Sequence, residues 1–301
     1  MGHDHSHADM RAGARHAGRL WWSFALIAGF LVVQVVVGLA ANSLALLSDA
    51  GHMATDALGL GMALAAITAA NRATHAEHRT FGLYRLEILA ALANAVLLFG
   101  VAGYVLVEAA RRLDDPPEVA SVPVLIVGLV GLAVNLVAFM LLRRGATESL
   151  NVRGAYFEVV ADTLGSIGVI IAAGLMWMTG WGWVDPVIGA GIGLFILPRA
   201  WRLGRDAVRI LVQAAPAGVD LQSVTAALTG VDGVADVHDL HVWTLTSDMD
   251  VVTAHLGIAA GVDSQRVLQQ ARTVLAEQFH LEHATLQVET AGDHSCEEIG
   301  W

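Results

Sequence analysis

The chain has 301 residues, 55% of them hydrophobic and only 15% charged, with a mean hydropathy of +0.59. That is too apolar for an ordinary water-soluble protein and points to several membrane spans. A formal net charge of −11 gives no basis for binding nucleic acid, and the single cysteine, Cys296, excludes an internal disulfide or a Cys-based zinc knuckle within one chain.

The charge is unevenly placed. Residues 1–210 hold 15 Arg against 15 Asp and Glu, whereas residues 211–301 hold 2 Arg against 13 acidic residues and so carry the whole excess. A near-neutral membrane part is therefore followed by an acidic soluble part. All 17 basic residues are Arg.

Residues 1–19 are a polar segment containing His3, His5 and His7. They read either as an unstructured tail or as a weak metal-collecting arm. A membrane span needs roughly 20 apolar residues to cross about 30 Å of hydrocarbon. Six segments meet that length: Leu20–Ala41, Leu44–Ala70, Leu86–Ala110, Val122–Leu142, Ala155–Thr179 and Val184–Trp201. They make up a transmembrane domain over residues 20–209. Arg11, Arg72, Arg79, Arg85, Arg143, Arg153, Arg199 and Arg209 are among those that fall on one side of this array, and only Arg111 and Arg112 fall on the other. By the positive-inside rule both termini are cytoplasmic, in an inner, multi-pass membrane location.

Residues 210–290 change pattern. Leu221–Leu228 reads as a helix, Val237–Thr246 and Val251–Ile258 alternate like strands, Ser264–Phe279 is helical, and Thr285–Glu289 alternates again. Asp263 is placed to cap the second of these helices. The expected fold is an α-helical membrane protein with six transmembrane helices, followed by a small cytoplasmic α+β domain, ferredoxin-like with αββαβ order. A short tail, residues 291–301, ends the chain.

The most informative residues lie within the apolar segments. His52 and Asp56 are four residues apart in the second segment, and Glu158 and Asp162 four apart in the fifth. On a helix each pair shares one face. Ionisable side chains inside a membrane are costly and mark ion paths or mutual pairing. A structural role as interhelical hydrogen-bonding partners competes with a ligand role. It leaves three carboxylates facing a low-dielectric interior with no Arg or Lys to neutralise them inside the spans, Arg199 lying at the end of the sixth. A divalent cation between the two helices neutralises them, and one His with three carboxylates suits zinc-like metals. Asp49, three residues before His52, reads either as an outer acceptor that orients His52 or as the polar end of that helix. Gly51, Gly165 and Gly168 permit close helix approach.

These residues sit in longer motifs. Leu46-Leu47-Ser48-Asp49-Ala50-Gly51-His52-Met53 with Asp56 resembles the second span of the cation diffusion facilitator family. Asn151-Val152-Arg153-Gly154-Ala155-Tyr156, with Glu158, Asp162 and Gly165-Ser166, resembles its fifth. His78-Arg79-Thr80-Phe81-Gly82 and Arg85-Leu86-Glu87 resemble the start of its third. His238-Asp239-Leu240-His241-Val242-Trp243 and Thr285-Leu286-Gln287-Val288-Glu289 resemble its cytoplasmic domain. The resemblance covers the chain after its first twenty residues. It implies a homodimeric antiporter, not an enzyme, that exports zinc and related divalent cations in exchange for protons. It carries over His52, Asp56, Glu158 and Asp162 as the transport ligands.

One position departs from the family pattern. Zinc-preferring members usually have His where Glu158 stands, and a third carboxylate favours oxygen-loving metals more than a two-His site does. Zinc is the first expectation, with Cd, Co, Fe or Mn as alternatives. Three carboxylates buried together hold one or more protons when no metal is present, because like charges and loss of water disfavour ionisation. Metal binding displaces those protons, which gives antiport a physical basis.

The resemblance also favours His238, His255 and His283, with Glu289, as cytoplasmic ligands for a regulatory Zn2+. His75 and His78 form a further candidate site in the loop after the second span. On a regular strand His238 and His241 face opposite sides, so His241 is expected to pack structurally. His294 and Cys296 are candidate additions from the tail. Two acidic domains in a dimer repel one another, and divalent cations between them relieve that repulsion. A non-transporting membrane metal sensor or metal-binding scaffold is the competing reading. It has no need of a buried four-ligand site.

Overall fold

The computed structural model describes residues 5–72, 84–142, 150–246 and 249–290. Six long helices come first: α1 His5–Ala40, α2 Leu44–Arg72, α3 Tyr84–Asp114, α4 Ser121–Leu142, α5 Leu150–Thr179 and α6 Val184–Leu211. Then follow α7 Leu221–Thr229, β1 Val234–Thr246, β2 Met249–Ile258, α8 Ser264–Phe279 and β3 His283–Thr290. The chain forms two compact units, one helical and one α+β. α1 runs from His5, so the described part of the polar segment, expected to be either an unstructured tail or a metal-collecting arm, is helical.

In the helical unit α1 packs on α2, α4 on α5, and α2 on α5. Small side chains let these helices approach closely. Ala41, Ala45, Ala173 and Val169 are buried with Leu46, Val124 and Val127 in one cluster. Leu44, Val105 and Ala109 make another between α2 and α3, and Leu98, Ile196 and Ala200 a third between α3 and α6. Outward-facing positions are apolar too: Val36, Val96, Val107, Met140, Leu164, Phe195 and Met178 are all exposed. Such an apolar exterior fits lipid and not water. Among the described residues, Arg85–Asp114, Asp162–Thr179 and Val184–Leu211 are helices long and apolar enough to cross a membrane. Phe24–Ala40 and Ser121–Val137 are shorter apolar helices.

The turn between α1 and α2 is anchored by a buried carboxylate. Asp185, at the start of α6, accepts hydrogen bonds from the Ser43 hydroxyl at 2.6 Å and from the backbone N–H groups of Leu44 and Ala45. Ser43 Oγ in turn accepts from Leu46 N at 3.1 Å. The first N–H groups of a helix have no intrahelical partner. Here Asp185 and Ser43 supply acceptors to the α2 end, and negative charge there also suits the helix dipole.

The α+β unit is a three-stranded mixed sheet in the order β1-β2-β3, with β1 antiparallel to β2 and β2 parallel to β3. A parallel pair needs a crossover, and α8 provides it. Val252, Ala254, Leu256 and Ile258 alternate along β2 and are buried against Val224 and Leu228 of α7 and Val267, Ala271 and Leu275 of α8. The intervening residues Thr253, His255 and Gly257 therefore face the opposite side of the sheet. Asp220 caps α7 by accepting from Ser223 N, and Asp263 caps α8 by accepting from Gln265 N at 2.9 Å.

Candidate functional site

The helical unit brings α2 and α5 together at the polar positions read from the sequence. His52 Nε2 lies 2.8 Å from Asp162 Oδ1, with His52 buried. Asp56 follows His52 by one turn of α2, and Glu158 precedes Asp162 by one turn of α5. The side chains of those two residues lie outside the described part of the chain, as do the whole of His75 and His78, His294 and Cys296.

Asp49 lies buried in the second turn of α2. Its Oδ2 accepts a hydrogen bond from Gln34 Nε2 of α1 at 2.7 Å, and both side chains are buried. Its Oδ1 rests against Gly165 of α5, where a Cβ would stand only 2.7 Å away. The missing side chain at Gly165 is thus what admits the α2 carboxylate beside α5. A cavity of about 280 Å³ touches Asp49 and His52 and is otherwise walled by apolar residues and glycines, among them Gly168, Ile192 and Phe195. Gln34 was not evident in the sequence; a lone amide within an apolar segment is the signal that could have found it.

The expectation that no Arg or Lys stands near the polar cluster is corrected by Arg199. Its Nη1 lies 3.4 Å from His52 Nε2. The apolar run alone ends the sixth span at Trp201, with Arg199 at its edge. α6 instead continues to Leu211, so Arg199 is well inside the helix and on the face that meets α2.

On the open face of the sheet, His238, His255 and Glu289 each offer a ligand atom, all within 4.8 Å of one another. His255 Nδ1 is 3.0 Å from Glu289 Oε1, and His238 Nε2 is 3.5 Å from Glu289 Oε2. His255 Nδ1 and Glu289 Oε2 are buried without a hydrogen-bond partner, the 3.0 Å approach being out of hydrogen-bonding alignment. Two imidazole nitrogens and a carboxylate with unsatisfied buried atoms fit a zinc-type ion. Asp236, two residues before His238, holds His238 Nδ1 at 2.8 Å and leaves Nε2 turned towards Glu289. Its carboxylate lies over Gly257, its partner on β2, where any side chain would overlap it. Asp236 was missed, although its spacing of two along a strand places it on the His238 face.

His283 stands at the other end of β3, paired with Val251, about 20 Å along the strand from Glu289. It does not join the cluster within one chain. His241 is also placed differently from the expectation. Between the pairs His238–His255 and His241–Thr253, β1 uses one residue more than β2, and Asp239 there has φ 51°. This bulge turns His238 and His241 to the same face, since their partners on β2 are two residues apart. His241 is half exposed and lies 2.9 Å from Asp239 Oδ1, so it does not pack structurally.

Both parts of the chain match known proteins. Residues 20–212 match the cation efflux transmembrane domain, and residues 216–291 match the cytoplasmic domain of cation efflux proteins. The metal cation efflux system protein CzcD of Cupriavidus metallidurans is 44% identical over 299 residues, covering 99% of this chain and 92% of that one. The cadmium, cobalt and zinc/H(+)-K(+) antiporter of Bacillus subtilis is 37% identical, covering 96% and 92%. The zinc transporter ZitB of Escherichia coli is also 37% identical, covering 96% and 93%. Among solved structures, the metal-bound C-terminal domain of the CzcD transporter is 36% identical, covering 24% of this chain and 99% of that one with a TM-score of 0.23. Both parts of the chain match in order and relatives align over nearly its full length: it belongs to the cation diffusion facilitator family of cation efflux proteins.

Proposed function

We propose that this protein exports divalent metal cations, zinc first among them, from the cytoplasm in exchange for protons. The observation that carries the proposal is the meeting of His52 on α2 with Asp162 on α5 at 2.8 Å, each one helical turn from a further carboxylate, Asp56 and Glu158. These four residues are the proposed transport ligands. The names of relatives support the reading: the Bacillus subtilis protein is called a cadmium, cobalt and zinc/H(+)-K(+) antiporter, and the Escherichia coli one a zinc transporter.

In this reading α1 to α6 all span the membrane, with both chain ends cytoplasmic and a homodimer as the working unit. Metal entering from the cytoplasm displaces protons held by the carboxylates. Rocking of the helices then opens the site to the other side, where metal leaves and protons return. The third carboxylate, Glu158, keeps Cd, Co, Fe and Mn as alternative cargoes.

The cytoplasmic cluster of His238, His255 and Glu289 has a second, regulatory role in the proposal. A metal ion bound there relieves repulsion between two acidic domains and draws them together. Interdomain distances in the dimer should shorten on adding Zn2+, and distances that stay the same would refute the regulatory role.

The transport test uses proteoliposomes carrying a pH indicator in the lumen. Zn2+ uptake should move protons in the opposite direction, and uptake with no proton movement would sink antiport. An Asp162→Ala variant should lose flux while keeping its fold and its cytoplasmic metal. If that variant transports normally, the site assignment is wrong. If the wild-type protein shows no metal flux at all, the sensor reading replaces the transporter.

A further inference from the structure

Two groups of opposite charge converge on one nitrogen. His52 Nε2 lies 2.8 Å from Asp162 Oδ1 and 3.4 Å from Arg199 Nη1. A neutral imidazole cannot satisfy both neighbours through that single atom. Either Nε2 carries the proton and faces the guanidinium without a bond, or it accepts from Arg199 and presents a lone pair to a carboxylate. A metal ion ligated by His52 and Asp162 needs those same lone pairs and would sit within a few ångströms of the guanidinium. Two cations so close, out of bulk water, repel strongly. Arg199 is always charged and is tethered by a long side chain, so it can withdraw but cannot leave.

We infer that Arg199 is a resident counter-cation that competes with the transported metal for His52 and Asp162. Between transport cycles it offsets the charge of Asp162 beside His52, while the other carboxylates hold the exchanged protons, and it weakens metal binding enough for release. The inference rests on the transport reading above and adds to it a residue outside the two ligand pairs. Arg199 is a positioning residue in this scheme. It binds the ligands and never the metal.

The test is the kinetics of Zn2+ uptake by the full-length protein in proteoliposomes, comparing wild type with Arg199→Gln and Arg199→Lys. Removing the charge should lower KM by roughly tenfold or more, and kcat should fall as release slows. Arg199→Lys keeps the charge and should hold KM within about threefold of wild type. Adding guanidinium ion to Arg199→Gln should raise KM again. A merely structural Arg199 predicts otherwise: KM unchanged or raised in Arg199→Gln, with no effect of guanidinium, and that result overturns the inference. If Arg199→Gln is not recovered folded, Arg199→Lys decides, and a KM more than about tenfold from wild type overturns it. Wild-type protein that transports while Arg199→Gln keeps the wild-type KM refutes the inference alone. Wild-type protein that moves no metal refutes the transport reading, and the inference falls with it.

Discussion

Replacing Asp185 by Ala tests whether a buried carboxylate holds the helix that carries His52. Asp185 is fully buried and accepts from the Ser43 hydroxyl and from the N–H groups of Leu44 and Ala45. Leu44 and Ala45 are themselves fully buried, so water does not replace the lost acceptor. Each buried donor left without a partner costs about 1–3 kcal/mol. Two backbone donors and one hydroxyl therefore lose several kcal/mol together, offset in part because a buried carboxylate no longer has to be desolvated. A net loss of about 3 kcal/mol follows, or roughly 6–12 °C in melting temperature at about 2–4 °C per kcal/mol for a chain of this size. Asp185→Asn retains one acceptor oxygen but turns an amide N–H towards a donor, and should lose about half as much. The assay is thermal unfolding of the purified protein in detergent, followed by loss of the main peak in size-exclusion chromatography. Metal flux should fall in the same order, because the start of α2 lies less than three turns from His52. Melting within about 2 °C of wild type for Asp185→Ala would refute the reasoning, since it would mean that the α2 end finds other acceptors.

Gly165→Ala should bring its new methyl to 2.7 Å from Asp49 Oδ1. Asp49 is held by Gln34, so α5 has to shift from α2. We expect a stability loss of about 1–3 kcal/mol and a clear drop in Zn2+ flux, whereas wild-type flux would show that the close approach is dispensable. Asp220 predicts a pH effect. The Ser223 hydroxyl, followed by the Ser223 N–H, holds the Asp220 carboxyl below its ordinary value. A lowered folded value means that the cap stabilises α7 above the carboxyl's unfolded value and loses that contribution as pH falls through the folded one. Amide protection in α7 should therefore fall more steeply on acidification in wild type than in Asp220→Asn, whose neutral side chain still caps. Equal slopes would count against this assignment.

Much of the architecture was legible because local chemistry dictates it. Apolar runs of membrane length become long helices whatever their neighbours. The period-two pattern of Val252, Ala254 and Leu256 declares a strand with one buried face, and Asp263 caps α8 through a contact two residues away. The spacing of four between His52 and Asp56, and between Glu158 and Asp162, needs only helical geometry to place each pair on one face. Strand ends were less legible: β1 begins at Val234 and β3 at His283, because pairing with β2 extends them beyond their own alternation.

The sequence by itself determined the membrane class of the chain, the α+β order of its second part and the two pairs of ionisable residues at a spacing of four, since each depends on residues within a few positions of one another. Tertiary structure alone decided what stands around those pairs. It carries α6 past Trp201 and puts Arg199 against His52, it ties Asp49 to Gln34 instead of leaving it at a helix end, and it sets Asp185 under the start of α2. In the sheet, the extra residue at Asp239 turns His241 to the face of His238, and pairing across β2 sets Asp236 over Gly257 and leaves His283 far from Glu289. These contacts join residues distant in sequence. Packing and strand register set them, and no local pattern of side chains encodes either.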